Sequence, residues 1–399
     1  MTLMPQNFNQ VRYLIGDSDV VAKMEQVPAF APFDDSVMDY LNRVSNILLK
    51  KPDARLYPDV VTFAFWCRKA SVKKMRKNYT DIANRIGRGV VFHIAPANVA
   101  VNFAYSLATG FMAGNANVVR LPSNTFPQVD IIADALAQAL DDEIKPYICL
   151  LRYGHDQAIT AQLSAICDTR IIWGGDQTIA NIRQSMLKAR AMDITFADRY
   201  SFCVINADEY LKSKHHNKIA EGFFNDTYLT DQNACTSPRI IVWMGEHIQE
   251  AQRSFWGKLH ALVKGKYELQ PVKAISKYLT FCRHAASSHA IHLEQCQDNL
   301  IVRAKLDKLS GIEIDYVGTC GYFLEYEARS FEEILPLCSS RCQTLSYFGF
   351  NASLLQDFLM NARPRGVDRI VPIGKTMDFS LVWDGYDLIR SLSRKIVLV

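Results

Sequence analysis

The residues best suited to chemistry lie at Asp231-Gln232-Asn233-Ala234-Cys235-Thr236-Ser237-Pro238-Arg239, where one cysteine stands in a polar turn before the apolar run Ile240-Ile241-Val242-Trp243. A thiolate is a strong nucleophile and a good leaving group from a thioester, so Cys235 can accept an acyl group and later release it. Other segments offer complementary groups. Val90 to Asn98 reads as a strand entering a Pro/Asn turn, the edge at which α/β proteins bind ligands. The Asn98 amide there suits either a developing oxyanion or, as an isolated residue, its own backbone. Gly114 to Asn124 ends a second strand in Arg120, Ser123 and Asn124, groups able to hold an adenosine ribose and its phosphate. Ile171-Ile172-Trp173-Gly174-Gly175-Asp176-Gln177 ends a third strand in two glycines before a helix, where backbone amides and the helix dipole favour phosphate. Taken singly, each of these three also suits a plain structural turn.

Such residues need a frame to bring them together. From Asp35 to Asn84 the apolar residues recur at helical spacing, as Val37, Leu41, Val44 and Leu48 do. From Gly87 the texture changes to alternating strands and helices: strands at 89–94, 116–121, 148–151, 169–173 and 201–205, with helices near 103–113, 128–140, 157–166 and 178–189 between them. That order predicts a mostly parallel sheet covered by helices on both faces. After Asn206 it restarts with a helix near 212–225, the cysteine turn, a strand at 240–243 and helices to about Ala304, so a second α/β domain is expected. The expected divisions are 1–205 for a helical segment and nucleotide-binding domain, 206–372 for a catalytic domain, and 373–399 for a segment returning to the first domain or to an oligomer interface. Ile396 to Val399 reads as a short strand able to pair with another subunit.

Composition narrows the function classes. A chain of 399 residues exceeds a comfortable single core, and clefts between domains are common ligand sites. The net charge of +4 is small for this length, and the basic run Arg68 to Lys77 reads as the wet face of a helix, so no nucleic-acid partner is expected. No apolar run approaches the roughly 20 residues that span a bilayer, and the first residues lack a basic segment followed by an apolar core. The expected protein has no membrane span, no secretory signal and a cytoplasmic setting. Its ten cysteines, scattered among apolar segments, read as reduced core thiols, which leaves few candidates for chemistry.

The order of these signals is more specific than any one of them. A strand leading to Pro-x-Asn, a Gly-Asn strand, a strand ending in glycines and a Gln-x-x-Cys turn opening a second domain resemble the aldehyde dehydrogenase superfamily. Phe63 to Lys69, Gly114 to Arg120, Asp231 to Pro238, Gly366 to Gly374 and Trp383-Asp384-Gly385 further resemble the LuxC-type acyl-CoA reductases of bacterial bioluminescence. The resemblance implies an aldehyde dehydrogenase-like α/β fold: a Rossmann-like cofactor domain, a second α/β catalytic domain and a small oligomerisation element. It implies an NADPH-dependent reductase that takes the acyl group of an acyl-CoA or acyl-carrier thioester onto Cys235 and releases an aldehyde. By the same resemblance Asn98 and the Cys235 backbone N–H form the oxyanion hole, and the cofactor lies along Ile94, Pro96, Arg120, Ser123, Asn124, Gly174 and Gly175. It further implies a homo-oligomer, with acyl-transferring proteins as possible partners.

Two departures from the superfamily refine that expectation. Oxidising, hydrolytic members carry a water-activating glutamate where this chain aligns Thr195, which favours reduction over aldehyde oxidation, although a shifted alignment would offer Asp198 as a base. Members preferring NAD often hold the ribose with a glutamate where this chain aligns Asn124, and a neutral residue near Arg120 is compatible with NADPH. The alternatives left open are an aldehyde dehydrogenase making acids, a cysteine acyltransferase or thioesterase without redox chemistry, and a catalytically silent partner. Cys282, His284, His289, His292 and Cys296 are metal-ligand types, with 289, 292 and 296 on one expected helical face, but their spacing matches no compact finger and no metal is expected. Cys338 and Cys342 are expected to be structural, and His215-His216 to be solvated surface.

Overall fold

In the computed structural model the described residues are 10–97, 99–287, 290–294 and 298–399. The chain divides into two compact units, Met1–Ala197 with Phe379–Val399, and Asp198–Asp378.

The first unit is built on strands β1 (Arg12–Ile15), β2 (Arg85–Gly87), β3 (Val90–Ile94), β4 (Ala116–Arg120), β5 (Ile148–Arg152), β6 (Thr169–Trp173) and β7 (Met192–Phe196). Its helices are α1 (Ser18–Lys23), α2 (Asp35–Lys50), α3 (Pro58–Trp66), α4 (Lys69–Arg76), α5 (Asn102–Met112), α6 (Pro127–Gln138), α7 (Gln157–Ile166) and α8 (Asp176–Arg183). The six-stranded sheet has the order β1-β5-β4-β3-β6-β7, parallel except for β1. Strands in such a sheet are covered on both faces, and every residue of β3 is buried, including His93. α2 begins at Asp34, whose carboxylate accepts from Ser36 N at 2.9 Å, and buries Val37, Leu41, Val44 and Leu48, the helical stripe read from sequence.

The second unit contains β8 (Tyr200–Asn206), β9 (Pro238–Met244), β10 (Ile291–Leu293), β11 (Val302–Leu306), β12 (Tyr322–Glu327), β13 (Cys342–Phe348) and β14 (Arg369–Pro372), with α9 (Ala207–Lys212), α10 (His216–Thr227), α11 (Ile248–Lys266), α12 (Pro271–Ser287) and α13 (Ala352–Ala362). Its sheet has the order β10-β11-β12-β9-β8-β13-β14, parallel except for β10. The period-2 geometry of strands sorts its core by face. Phe202, Val204, Ile240, Val242, Tyr322 and Leu324 pack on one side, toward α12 and α13, while Cys203, Ile205, Ile241, Trp243 and Phe323 pack on the other, under α10 and α11.

The chain ends back in the first unit with β15 (Val382–Trp383), β16 (Tyr386–Asp387), α14 (Leu388–Ser391) and β17 (Ser393–Lys395). Trp383-Asp384-Gly385 is a hairpin turn between β15 and β16, with Asp384 at φ 49° and Gly385 at φ 77°, the left-handed pair that a tight two-residue turn requires. Asn115 anchors the returning segment: its Nδ2 donates to Leu392 O at 2.9 Å while its Oδ1 accepts from Arg88 N and Gly89 N. Gly114 beside it has φ 92°, and a Cβ there would collide with the Phe30 carbonyl oxygen.

Several expectations are corrected. The strand at 201–205, read as closing the first domain, is β8 of the second unit, because its partners are β9 and β13. The terminal strand is Ser393–Lys395 rather than 396–399, and it pairs within the chain against β2. The stretch read as helical to about Ala304 contains β10 and β11, so His292 lies on a strand and pairs with Asp307 at 2.9 Å. His289 and Cys296 lie outside the described residues, and no metal-binding cluster occurs among the described ones. His215 is exposed, whereas His216 is half-buried: its ring stacks on Tyr210 at 4.5 Å and its Nε2 meets Tyr210 O at 2.8 Å.

Candidate active site

The approach to Cys235 is a strained turn. Asp231 and Gln232 follow a short 3-10 turn at Tyr228–Thr230 and both adopt left-handed backbone, φ 51° and 59°, which costs about 1–2 kcal/mol per non-glycine residue and needs outside support. Gln232 supplies that support. Its side chain is fully buried, donating from Nε2 to Pro238 O at 3.0 Å and Tyr322 O at 3.2 Å and accepting at Oε1 from Gly321 N at 3.0 Å. Thus one carboxamide ties the turn to the starts of β9 and β12. Asp231 accepts from Tyr267 Oη at 2.6 Å, and its carbonyl accepts from Cys320 N at 2.9 Å.

Cys235 itself is half-buried and is held from the neighbouring strands. Ser201 of β8 donates its hydroxyl to Cys235 O at 2.6 Å and accepts from Thr344 N of β13 at 3.2 Å. Gln343, fully buried on β13, donates from Nε2 to Cys235 Sγ at 3.4 Å. The guanidinium of Arg239 lies close by: burial lowers its pKa, while the charges of Cys235 and Asp198 act to raise it. Behind the turn, Thr236 Oγ1 donates to Met377 Sδ at 3.2 Å, and the segment carrying Met377 is fixed by Asp226, which accepts from Gly374 N at 2.6 Å and Thr376 N at 3.1 Å. Burial pushes the Asp226 carboxyl up to about 6.

Of the other described thiols, Cys67, Cys149, Cys167, Cys203, Cys338 and Cys342 are buried packing groups, and desolvation raises the pKa of each, to about 12 for Cys167, Cys203 and Cys338. Cys320 is also buried, and Cys282 is exposed on α12. No sequence motif marks Gln343 or Ser201; the available signal is polar Gln343, Thr344 and Ser346 inside a strand that is otherwise apolar, a pattern that burial makes costly unless each group is bonded.

In the first unit, the expected cofactor residues gather on one edge of the sheet. The chain runs from β3 through β4 to β5 and then places β6 and β7 on the other side of β3, so the C-terminal ends of β3 and β6 form a switch point of the kind that binds nucleotides. Ile94 pairs with Arg120 on one side and with Ile172 on the other, which brings Ile94, Pro96, Arg120, Gly174 and Gly175 to that edge. Gly175 precedes α8 without a side-chain cap, leaving the first amides to another acceptor, although Asp176 places a carboxylate in the same turn. Arg120 donates to Gly154 O at 2.8 Å and lies over the Tyr153 ring at 4.5 Å; Asn124 donates to Ala97 O at 2.9 Å, and Ser123 is exposed. A dinucleotide therefore fits the topology and the glycine turn, with Arg120 and Asn124 already engaged by protein partners. Asn98 lies outside the described residues.

A family model described as acyl-CoA reductase (LuxC) matches residues 16–276. The chain belongs to this family. Among curated relatives of the LuxC chain, the long-chain acyl-protein thioester reductase of Photorhabdus luminescens is 25% identical over 329 residues, covering 78% of this chain and 63% of that protein. The protein of the same name from Vibrio harveyi is 22% identical over 326 residues, 78% of this chain and 64% of that one. The chain thus spans a little under two thirds of the length of these relatives. Its fold is that of the aldehyde dehydrogenases. Aldehyde dehydrogenase 21 from Physcomitrella patens superposes with a TM-score of 0.67 at 12% identity, covering 95% of this chain and 89% of that one. An NAD-dependent benzaldehyde dehydrogenase from Corynebacterium glutamicum gives 0.64 at 12%, covering 94% and 86%.

Proposed function

We propose that this LuxC-family chain reduces an acyl thioester, presented as acyl-CoA or on an acyl carrier, to an aldehyde through a covalent thioester on Cys235. The observation that carries the proposal is the setting of that thiol: among the described cysteines, Cys235 combines partial exposure with a strained, pinned turn and an amide donor at sulfur. The relatives' names, which specify thioester reduction, support the same chemistry.

In the proposed sequence the Cys235 thiolate attacks the acyl carbon and the carrier thiolate leaves with its electron pair. Ser201 holds the Cys235 carbonyl, so the backbone at the attacking residue does not swing as the sulfur changes partners. A nicotinamide nucleotide supplies the two electrons when bound; Ile94, Pro96, Arg120, Ser123, Asn124, Gly174 and Gly175 are the residues proposed to hold it, and NADPH is the proposed form because Asn124 brings no carboxylate against a 2′-phosphate. The proposal extends to a cytoplasmic homo-oligomer that receives its acyl group from a partner protein, the last in keeping with the words "acyl-protein" in the relatives' names. No helix among the described residues is long and apolar enough to cross a membrane.

The decisive test incubates the chain with a panel of acyl-CoA and acyl-carrier thioesters, maps the acylated peptide by mass spectrometry and then adds NADPH. The expected outcome is acylation at Cys235, discharged as aldehyde, with Cys235→Ala at least a thousandfold less active yet normally folded. Discharge as acid would favour aldehyde-dehydrogenase chemistry. Discharge to a second thiol or water without nucleotide consumption would favour acyl transfer.

A further inference from the structure

We propose that Gln343 sets the reactivity of Cys235 by donating its carboxamide N–H to sulfur in both the free thiolate and the departing thiolate; this rests on Cys235 being the acyl carrier. Gln343 Nε2 lies 3.4 Å from Sγ, within reach of an N–H···S bond, and the side chain that carries it is fully buried. A carboxamide excluded from water adopts the orientation its partners dictate. Gln343 Oε1 accepts from Thr344 Oγ1 at 3.5 Å, and the backbone on either side of Gln343 is fixed by several independent contacts. The residue before it, Cys342, has its carbonyl bonded by Arg199 Nη2 at 2.5 Å, and Arg199 is ion-paired with Asp368. Cys342 O also accepts from Val367 N at 3.0 Å, and Val367 is a β-branched residue at φ 68°, a conformation that surrounding structure must enforce. The residue after it, Thr344, is tied through Ser201 to the Cys235 carbonyl. The donor and its target are therefore registered to each other through the same pair of strands.

The chemistry asks for such a donor twice. Before acylation, an N–H aimed at sulfur favours the thiolate over the thiol. After reduction of the acyl carbon by a reduced nicotinamide nucleotide, the oxygen lone pair re-forms C=O, the C–S bond breaks, and its electron pair returns to Sγ, where the same N–H receives it. A carboxamide suits both moments because it carries no titrating proton: it stabilises the sulfur charge without protonating the nucleophile. The charged groups on the packed elements include Arg239 at the start of β9, Asp198 and Arg199 ahead of β8, Asp368 ahead of β14 and paired with Arg199, Arg369 on β14 opposite Thr344, and Asp226 behind the Met377 segment. Arg239 adds positive charge on the same side of the equilibrium, so loss of Gln343 weakens the thiolate and does not abolish it.

The test is the pH profile of Cys235 alkylation by iodoacetamide in the full chain, read by mass spectrometry of the Cys235 peptide, together with the rate at which NADPH discharges the acyl-enzyme formed from palmitoyl-CoA. In Gln343→Met, which keeps length without a donor, the alkylation midpoint is expected to rise by about one pH unit and discharge to slow about tenfold. Gln343→Glu, nearly isosteric, places like charge beside sulfur and is expected to raise the midpoint further, which secures the result if the methionine variant does not fold. Profiles that overlay wild type in either folded variant overturn the inference. A shifted profile with acyl label found away from Cys235 overturns instead the acyl-carrier role and leaves the N–H···S contact standing.

Discussion

Two buried polar clusters, one in each unit, use similar groups to opposite ends. In the first unit His93, fully buried on β3, meets Ser106 Oγ through Nδ1 at 2.8 Å and Asn117 Oδ1 through Nε2 at 3.0 Å, and Trp173 Nε1 donates to the same Ser106 oxygen at 3.2 Å. Both ring nitrogens are engaged inside the core, and burial lowers the His93 pKa to about 4. A Cβ at Gly110 would run into the Asn117 amide, so even the helix above is shaped around this network. In the second unit Gln232, Ser201 and Gln343 surround a turn whose sulfur remains half-buried. A closed network stabilises a core, whereas one that ends on a half-buried nucleophile spends part of its bonding on a group that must change partners.

The contrast is broken most severely at Gln232. Replacing it with alanine strands Gly321 N and two carbonyls in the interior while keeping a left-handed backbone, so we expect a loss of about 3–5 kcal/mol in urea unfolding and, at temperatures where the variant is folded, slower acylation of Cys235. An unfolding curve within about 1 kcal/mol of wild type would mean the turn is not held this way.

The His93 cluster provides the second test. Its folded pKa lies below the unfolded value, so the folded state binds fewer protons. The contribution is complete above about pH 6.5 and is lost as pH falls toward 4, to the extent of about 3 kcal/mol. His93→Gln should flatten the stability profile across that window and leave the alkylation profile of Cys235 unmoved, since the two clusters do different work. A coincident shift in both would erase the distinction drawn between them.

The smallest expected effect is at the nucleotide edge. Arg120→Ala is expected to raise the KM for NADPH about tenfold relative to NADH, equivalent to about 1.4 kcal/mol, while the NADPH-independent acylation of Cys235 is unchanged. Equal changes for the two nucleotides would assign Arg120 to packing against Tyr153 and Gly154 alone.

Much of the frame was legible because its signals are local. The apolar stripe of α2 and the strand-helix alternation from β3 to β6 follow from periodicities of a few residues, and the cysteine turn stood out by its polarity against β9. Boundaries were less legible where neighbours decide them. β8 has the same apolar texture as the strands before it, and only pairing with β9 and β13 assigns it to the second unit. β7, β11, β12 and β13 are not marked in the sequence for a related reason: short parallel strands resemble loops or helix segments until a sheet receives them.

The amino-acid order by itself determined the family, the succession of two α/β units and the candidate nucleophile, all of which rest on residue types at short spacing. The tertiary structure decided what surrounds the sulfur. Gln343 lies 108 residues from Cys235 along the chain and reaches it because β13 pairs with β8, whose Ser201 binds the cysteine carbonyl. Strand register is set by packing across the whole sheet, and no spacing within the sequence encodes it.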